Sequence, residues 1–424
     1  MSAPSRRLGA FVASRMRWVG IPSLGASLGL ALGGACLATA QANPPVAPAP
    51  AAPAASSFDQ LAQKAAEAKA GARFEQAIEL YRQGIKLRPD WMEGRFALGA
   101  ILYDHDRYEE AREEFRRVAA SQPKNGVVVA LRGLCGYQLR DYERALNDLE
   151  LARTLGIPSK EVASVASFQA AILMNRFERY ESAFEILKEF ALLDRDSPNV
   201  IEAFGLSVLR LPYLPSEAPP DKREMILMAG RAAYHQARGR DTATARQFFG
   251  ELASRYPSVP NVHYAFGVCL LVEDPAAALE ELRRELRISP NHYHAMLQIA
   301  FELMRQGQYA EAQTLAQKAV DLGPGLFAAH QALGRALLEN GEVDRAIQQL
   351  ETGAKLAPES PEMFFTLARA YAKKGRNQDA ARARETFLKL DAKRRTARSG
   401  PQSVGGMRPE AETQPAESAP PEPD

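Results

Sequence analysis

The sequence has few residues with redox or metal-binding chemistry. Its 424 residues include only three cysteines, Cys36, Cys135 and Cys269, and six histidines. No two cysteines have Cys-x-x-Cys spacing, which excludes a zinc knuckle and a thioredoxin-like redox site. Three cysteines allow one disulfide at most, so a disulfide framework is excluded too. No His-Glu-x-x-His motif occurs, and we expect neither a metal nor another cofactor.

The chain also lacks an excess of charge of either sign. Its 53 Lys and Arg residues against 51 Asp and Glu residues give a formal net charge of +2. This balance argues against a strongly basic nucleic-acid binder, and we expect no nucleic-acid partner. An apolar content of 46% and a charged content of 25% are ordinary for a soluble globular protein.

Charged residues are missing from the stretch between Val19 and Ala42, which follows four arginines near the N-terminus. Ala38-Thr39-Ala40 is the small-x-small pattern that signal peptidases cut. We therefore predict a signal peptide over residues 1–40 and an exported protein that is periplasmic, envelope-associated or secreted. An uncleaved N-terminal anchor is an alternative, because about 20 apolar residues can span a bilayer. Lipidation of Cys36 is a second way to tether the chain to a membrane.

Two further segments have the composition of unfolded chain. Residues 41–57 are rich in Pro and Ala, which predicts a semi-rigid extended linker. Residues 396–424 are rich in Pro, Gly, Glu and Ser and have little apolar surface, which predicts a disordered tail.

Small residues recur at a fixed interval through the rest of the chain. Ala77, Ala111 and Ala145 are 34 residues apart, and Ala278, Ala312, Ala346 and Ala380 have the same spacing. Fixed spacing of this length predicts an array of repeats. Another small residue lies twelve positions before most of these alanines or their equivalents: Ala65, Gly99, Gly133, Ala171, Ala233, Ala300, Gly334 and Ala368.

The spacing of small, bulky and proline residues resembles the tetratricopeptide repeat. Phe96-Ala97-Leu98-Gly99 followed by Ala111, Phe115 and Pro123 resembles the family pattern, and so does Leu333-Gly334 followed by Ala346, Leu350 and Pro358. The resemblance covers about residues 58–395. It implies an all-α fold, a right-handed α-solenoid of stacked helix-turn-helix repeats between disordered N- and C-terminal segments. About nine units begin near Phe58, Met92, Gly126, Ser164, Ile226, Pro260, Tyr293, Phe327 and Pro361.

One region interrupts the repeat, because Pro198 and Pro257 are 59 residues apart. We predict an N-terminal block of about four repeats over 58–198 and a C-terminal block of about five over 225–395. For residues 199–224 between the two blocks we predict an unpaired, irregular helix followed by a Pro-rich loop. Asp221 and Glu224 have the spacing of a capping box for the next helix. The segment is either a tolerated surface insertion or a hinge or partner-contact loop.

The resemblance also implies that the first helix of each repeat lines a concave groove. Aromatic rings and guanidinium groups along such a groove suit an extended peptide. The family's pattern for gripping a free C-terminal carboxylate is absent. The predicted groove residues are Phe96, Tyr103, Tyr137, Phe168, Asn175, Arg176, Tyr234, Arg238, Tyr264, His294, Phe301, Arg305, Arg335, Arg369 and Lys373.

No motif of the sequence predicts a catalytic residue. Gly25-Ala26-Ser27-Leu28-Gly29 matches a nucleophile elbow, but it lies in the signal segment with no strand before it. Cys135 and Cys269 occupy equivalent repeat positions, which predicts buried packing. His263 and His330 likewise share one position, and we expect packing or surface roles for them.

These observations together predict a non-catalytic scaffold for protein–protein interaction in the cell envelope, with a protein or peptide partner. A chaperone or assembly factor for secreted or outer-membrane proteins is an alternative within the same class. An enzyme or an enzyme accessory subunit is the competing class. It is disfavoured because the low-complexity ends leave no segment for a catalytic domain.

Overall fold

The computed structural model describes the backbone of residues 57–399 and the side chains of residues 57–396. Within this range the chain forms nineteen α-helices and one 3₁₀ turn, and no strand. The predicted all-α fold is confirmed. The predicted signal peptide, Cys36, the Gly25–Gly29 motif and most of the linker and tail lie outside the described residues.

The described chain divides into two compact units, residues 57–173 and residues 174–399. The first unit is a stack of antiparallel helices joined by short turns. Its helices are α1 (Ser57–Ala70), α2 (Phe74–Leu87), α3 (Met92–Asp104), α4 (Tyr108–Ser121), α5 (Gly126–Gln138), α6 (Tyr142–Leu155) and the greater part of α7 (Lys160–Arg176), inside which the division falls.

The second unit continues the same alternation, with one irregular stretch. It contains α8 (Tyr180–Leu192), α9 (Pro198–Val208), a 3₁₀ turn (Pro220–Lys222), α10 (Arg223–Arg238), α11 (Thr242–Arg255), α12 (Val262–Leu270), α13 (Pro275–Ile288), α14 (Tyr293–Arg305), α15 (Tyr309–Leu322), α16 (Phe327–Glu339), α17 (Val343–Leu356), α18 (Pro361–Lys373) and α19 (Asn377–Ser399).

The core of each pair forms where a small residue of the first helix meets a bulky residue of the second. A Cβ added to Gly99 would lie 2.9 Å from Cε1 of Phe115, and one added to Gly334 would lie 2.5 Å from Cγ of Leu350. Alanines of the predicted interval, such as Ala111 and Ala346, are fully buried. The close helix crossing predicted from small side chains is confirmed.

Apart from α12, the first helix of each described pair is followed by a residue in the left-handed region. Between α16 and α17 this residue is Gly341, with a φ of 84°. Between α3 and α4 it is Asp106, with a φ of 59°. The turn places one residue in the left-handed region, which glycine adopts without the steric penalty that a Cβ imposes.

Helix α9 ends in the same way as a first helix, with Arg210 at a φ of 53°. No second helix follows, because Pro215 would fall in the first turns of such a helix and has no N–H to donate. Residues 209–222 instead form a largely non-helical connector to α10. The predicted break at the prolines of this segment is confirmed.

Two predictions about this region were wrong. Helix α9 is not unpaired, because it packs closely on α10 through Gly205 and Gly230. Asp221 does not cap α10, because it lies inside the 3₁₀ turn and the residue before α10 is Lys222, with no capping hydrogen bond from its side chain. The Pro219–Pro220 pair sets up the 3₁₀ turn and moves the start of α10 beyond the predicted capping position.

A polar contact recurs at the start of several first helices. Arg95 of α3 donates to the carbonyl oxygen of Pro89 from Nε at 3.0 Å and to Glu114 of α4 from Nη1 at 2.8 Å. His330 of α16 contacts Pro324 and Gln349 with its two ring nitrogens, at 2.9 and 2.7 Å. The side chain therefore joins the end of one repeat to both helices of the next.

Candidate functional site

The predicted groove residues of the first unit pack against their own repeats. Tyr103 is buried and lies edge-on to Tyr108 with ring centroids 5.4 Å apart. Phe96 contacts Phe115 at 5.9 Å, and Tyr137 contacts Tyr142 at 5.8 Å. Phe168 is buried as well. Phe96 and Tyr137 are only half-buried, so part of each ring is available to a partner.

Asn175 and Tyr234 of the second unit are buried. Asn175 donates from Nδ2 to the carbonyl of Ala203 at 3.1 Å and accepts from the hydroxyl of Ser207 at 2.8 Å. Tyr234 lies edge-on to Phe204 at 6.0 Å. Asn175 thus serves the packing of α9, because both ends of its amide bond to that helix. Phe301 packs against the core and is half-buried, and Arg335 is half-buried.

Most of the predicted groove cations of the second unit are bonded to acceptors of this chain. A partner that uses them must share or displace these contacts. The pairs are Arg176 with Glu217 at 3.4 Å, Arg238 with Asp194 at 2.8 Å, Arg305 with Glu302 at 2.8 Å, Arg369 with Glu339 at 2.8 Å, and Lys373 with the carbonyl of Leu338 at 2.9 Å.

Arg210 brings distant parts of the second unit together. Its guanidinium donates to Glu181 of α8 and, from Nη2, to Nε2 of His294 on α14 at 2.7 Å. It also lies over the ring of Tyr180, 4.8 Å from the centroid. Only 14% of the Arg210 side chain is exposed, so this is an enclosed contact between residues 84 positions apart. We call Tyr180, Glu181 and His294 the Arg210 site.

The Arg210 site continues into a cluster of rings. Tyr264 of α12 lies 4.6 Å from the ring of His292 and 6.2 Å from that of His294. Nδ1 of His292 accepts from the backbone N–H of Ala295 at 3.0 Å, which leaves its Nε2 to donate to Oδ1 of Asn261 at 2.9 Å. Three first-helix regions of the unit therefore meet on one aromatic and polar surface.

The short helix α12 is held from its N-terminal end by a buried carboxylate. Glu285 of α13 accepts from the backbone N–H of Asn261 at 2.9 Å and from that of Tyr264 at 3.2 Å. A carboxylate at this position satisfies unpaired N–H groups and interacts favourably with the helix dipole. This contact holds the backbone at the start of α12, the helix that carries Tyr264.

Burial and Arg210 determine the charge states of this surface. Burial lowers the pKa of His294 to about 3, and the neighbouring Arg210 adds to that effect. Burial alone would raise the pKa of Glu181, but the charge of Arg210 and its hydrogen bond hold it below its ordinary value. A neutral His294 is the form that accepts the hydrogen bond from Arg210.

Sequence reasoning found His294 and Tyr264 but missed Arg210 and Glu181. Arg210 stands at the turn position of a repeat that lacks its second helix, and that signal could have marked it. Glu181 has no sequence signal, because acidic residues are common in the first turn of second helices, as at Glu75 and Glu109.

The described residues offer little for chemistry on a substrate. Burial raises the pKa of Cys135 to about 12 and that of Cys269 to about 11, so both are thiols rather than nucleophilic thiolates. Cys135 is buried as predicted, whereas Cys269 is half-buried.

Over residues 57–396 no group of three or more His, Cys, Asp or Glu side chains is placed to hold a metal ion. None of the described helices combines the length and apolar character that crossing a membrane requires.

Three tetratricopeptide-repeat family models match the chain, over residues 62–126, 224–258 and 303–364. With the helix pairs described above, these matches support a protein built from tetratricopeptide repeats. The predicted fold class, an α-solenoid of such repeats, is confirmed.

The chain is also similar to individual proteins. A BBSome complex member BBS4 homolog from Drosophila melanogaster is 22% identical over 296 residues, 67% of this chain and 55% of that protein. Anaphase-promoting complex subunit 3 from Schizosaccharomyces pombe is 24% identical over 134 residues, 32% of this chain and 20% of that protein. The chain thus spans about half of the first and a fifth of the second. A MamA structure from Desulfovibrio magneticus RS-1 aligns at a TM-score of 0.35 with 21% identity, covering 39% of this chain and 98% of that one.

Proposed function

We propose that this protein is a non-catalytic scaffold that binds an extended segment of a partner protein along the first helices of its repeats. The observation that carries the proposal is the aromatic and polar cluster of Arg210, Tyr264 and His294, at whose edge Tyr264 is half-buried and Glu181 is 46% exposed. These residues are far apart in sequence and come together because the repeats stack. Aromatic rings beside charged and polar groups are typical of protein-binding surfaces.

The names of the relatives support a role of this kind. One is named as a member of a complex and the other as a complex subunit. Repeat arrays offer extended surfaces because each unit contacts only its neighbours in the stack.

We place this scaffold in the cell envelope of a bacterium-like cell. The support is the N-terminal sequence alone: arginines, an uncharged stretch and Ala38-Thr39-Ala40. N-terminal sequencing of the mature protein tests this, with Gln41 expected as the first residue. An intact N-terminus on protein found in the membrane fraction would favour the uncleaved anchor. An intact chain found in the cytoplasm would contradict the envelope location.

Site-specific photo-crosslinking in cells tests the binding surface. A photoreactive amino acid replaces Tyr137, Tyr264 or Arg335 on first helices, or Arg116 or Arg283 on second helices. Arg116 and Arg283 are suitable controls because their side chains are 61% and 46% exposed. We expect one partner to be captured from the first-helix positions and not from the controls. Equal capture from both sets would contradict the proposal.

A further inference from the structure

The guanidinium of Arg210 fits a site built from three different kinds of group. Glu181 supplies a carboxylate, Nε2 of His294 supplies a neutral acceptor at 2.7 Å, and the ring of Tyr180 supplies a π-face at 4.8 Å. A planar guanidinium can satisfy two acceptors in its plane and stack on a ring at once, whereas an ammonium group cannot match all three. The site is therefore selective for arginine by geometry.

We propose that Tyr180, Glu181 and His294 form an arginine-binding pocket, which the chain's own Arg210 occupies until an arginine of a partner segment replaces it. The proposal deepens the scaffold function by naming the chemistry of the partner. It rests on that function for the partner, but the pocket itself can be tested without one.

The turn after α9 does not by itself bury an arginine. Arg140 occupies the same left-handed turn position after α5, with a φ of 60° against 53° for Arg210, yet Arg140 is exposed. The difference is that α6 follows Arg140, whereas the connector follows Arg210. The turn alone therefore does not bury Arg210; its burial depends on the missing second helix and on the contacts with Tyr180, Glu181 and His294.

Arg210 can leave the pocket without unfolding the connector. The connector has its own anchor, because the side chain of Leu214 is only 2% exposed. Arg176 adds contacts to the carbonyl of Pro212 at 3.4 Å and to Glu217 at 3.4 Å. Rotation about the side-chain bonds of Arg210 is then enough to empty the pocket, and Glu181, with 46% of its side chain exposed, faces the entering group.

The test uses the full chain with Arg210→Ala and, as the matched control, Arg140→Ala. Thermal unfolding is measured with millimolar methylguanidinium or methylammonium chloride. We expect methylguanidinium to raise the melting temperature of R210A by about 2 °C or more over methylammonium, because a ligand that binds only the folded state stabilises it. The wild type and R140A should show no such difference, and R210A/E181Q should lose it.

An arginine peptide provides the second measurement. Blocked Ala-Arg-Ala should bind R210A at least tenfold more tightly than the wild type, and blocked Ala-Lys-Ala should not. If R210A does not fold by circular dichroism, the same comparison is made on Arg210→Gln, which keeps a polar side chain. The pocket is overturned if guanidinium and ammonium act alike on the folded variant, or if R140A responds as R210A does.

The two proposals fail separately. If methylguanidinium stabilises R210A but no partner is captured at the first-helix positions, the arginine-binding pocket is supported and the scaffold function is contradicted. If a partner is captured but methylguanidinium has no such effect, the scaffold function is supported and the arginine-binding pocket is contradicted.

Discussion

Gly205 in α9 and Gly230 in α10 each lie against the backbone of the other helix. A Cβ added to Gly205 would lie 1.9 Å from the carbonyl oxygen of Ile226, and one added to Gly230 would lie 1.9 Å from that of Ile201. Backbone cannot move aside as a flexible side chain can. The two glycines therefore bring α9 and α10 closer than any other residue would allow.

Gly205→Ala and Gly230→Ala should each lower the free energy of unfolding by about 3 kcal/mol, because the helices must separate. Gly250→Ala is the matched control: Gly250 also lies within a helix, and the nearest atom to its added Cβ is 3.9 Å away. That change should be neutral or stabilise by about 0.5–1 kcal/mol through helix propensity. Urea unfolding measures all three, and equal effects would contradict the close contact.

The packing of a repeat pair can be tested by a double-mutant cycle. Gly334→Ala should destabilise by about 1–3 kcal/mol despite alanine's better helix propensity, since its Cβ would lie 2.5 Å from Leu350. In the background of Leu350→Ala the same change should be neutral or stabilising, because the obstructing side chain is gone. A cost of Gly334→Ala that is the same in both backgrounds would show that the two residues do not meet.

Two histidines of the second unit should carry their proton on different ring nitrogens. Nδ1 of His292 accepts from the backbone N–H of Ala295 at 3.0 Å, so its proton lies on Nε2. Nε2 of His294 accepts from Arg210 at 2.7 Å, so its proton lies on Nδ1.

Nitrogen-15 NMR of the imidazole rings near pH 7 measures these states. We expect one protonated ring nitrogen in each, Nε2 of His292 and Nδ1 of His294. A proton on Nδ1 of His292 or on Nε2 of His294 would contradict the hydrogen bonds that these nitrogens accept.

The pKa of His294 makes the stability of the second unit depend on pH. Its folded value of about 3 lies below the ordinary 6.5, so the unfolded chain takes up the proton first as the pH falls. The stabilisation is full above pH 6.5 and is lost on the way down to pH 3, by up to about 1.4 kcal/mol per pH unit.

His294→Gln is the control for this effect, because its amide oxygen can accept from Arg210 without titrating. The other groups around His294, namely Arg210, Glu181, His292, Tyr264 and Tyr293, remain in both proteins. The unfolding free energy of the wild type should therefore fall relative to that of H294Q as the pH falls below 6.5. A difference that does not vary with pH would contradict the buried, neutral state of His294.

The repeat architecture could be predicted because each pair depends on short-range spacing. Gly99 meets Phe115 sixteen positions later, and the same interval separates Gly334 from Leu350. The pairing of α9 with α10 could not be predicted in this way. Gly205 and Gly230 are 25 positions apart with a proline-rich connector between them, so they follow no repeat interval.

The Arg210 site was beyond sequence reasoning for a related reason. Its contact with His294 joins residues 84 positions apart, and their meeting depends on how α8, the connector and α14 pack. The groove prediction used fixed repeat positions, so it selected Tyr264 and His294 but could not select a residue outside the pattern. It also selected Asn175 and Tyr103, which the packing buries.

The affinity of the partner captured from the first-helix positions tests the scaffold most directly. Two variants are compared with the wild type by calorimetry: R176E/R305E/R335E, and R116E/R283E/R382E with reversals on second helices. Both should keep the helical circular-dichroism spectrum. The account predicts at least about tenfold weaker binding, about 1.4 kcal/mol, for the first variant and little change for the second. Unchanged affinity in the first variant would contradict a partner bound along the first helices.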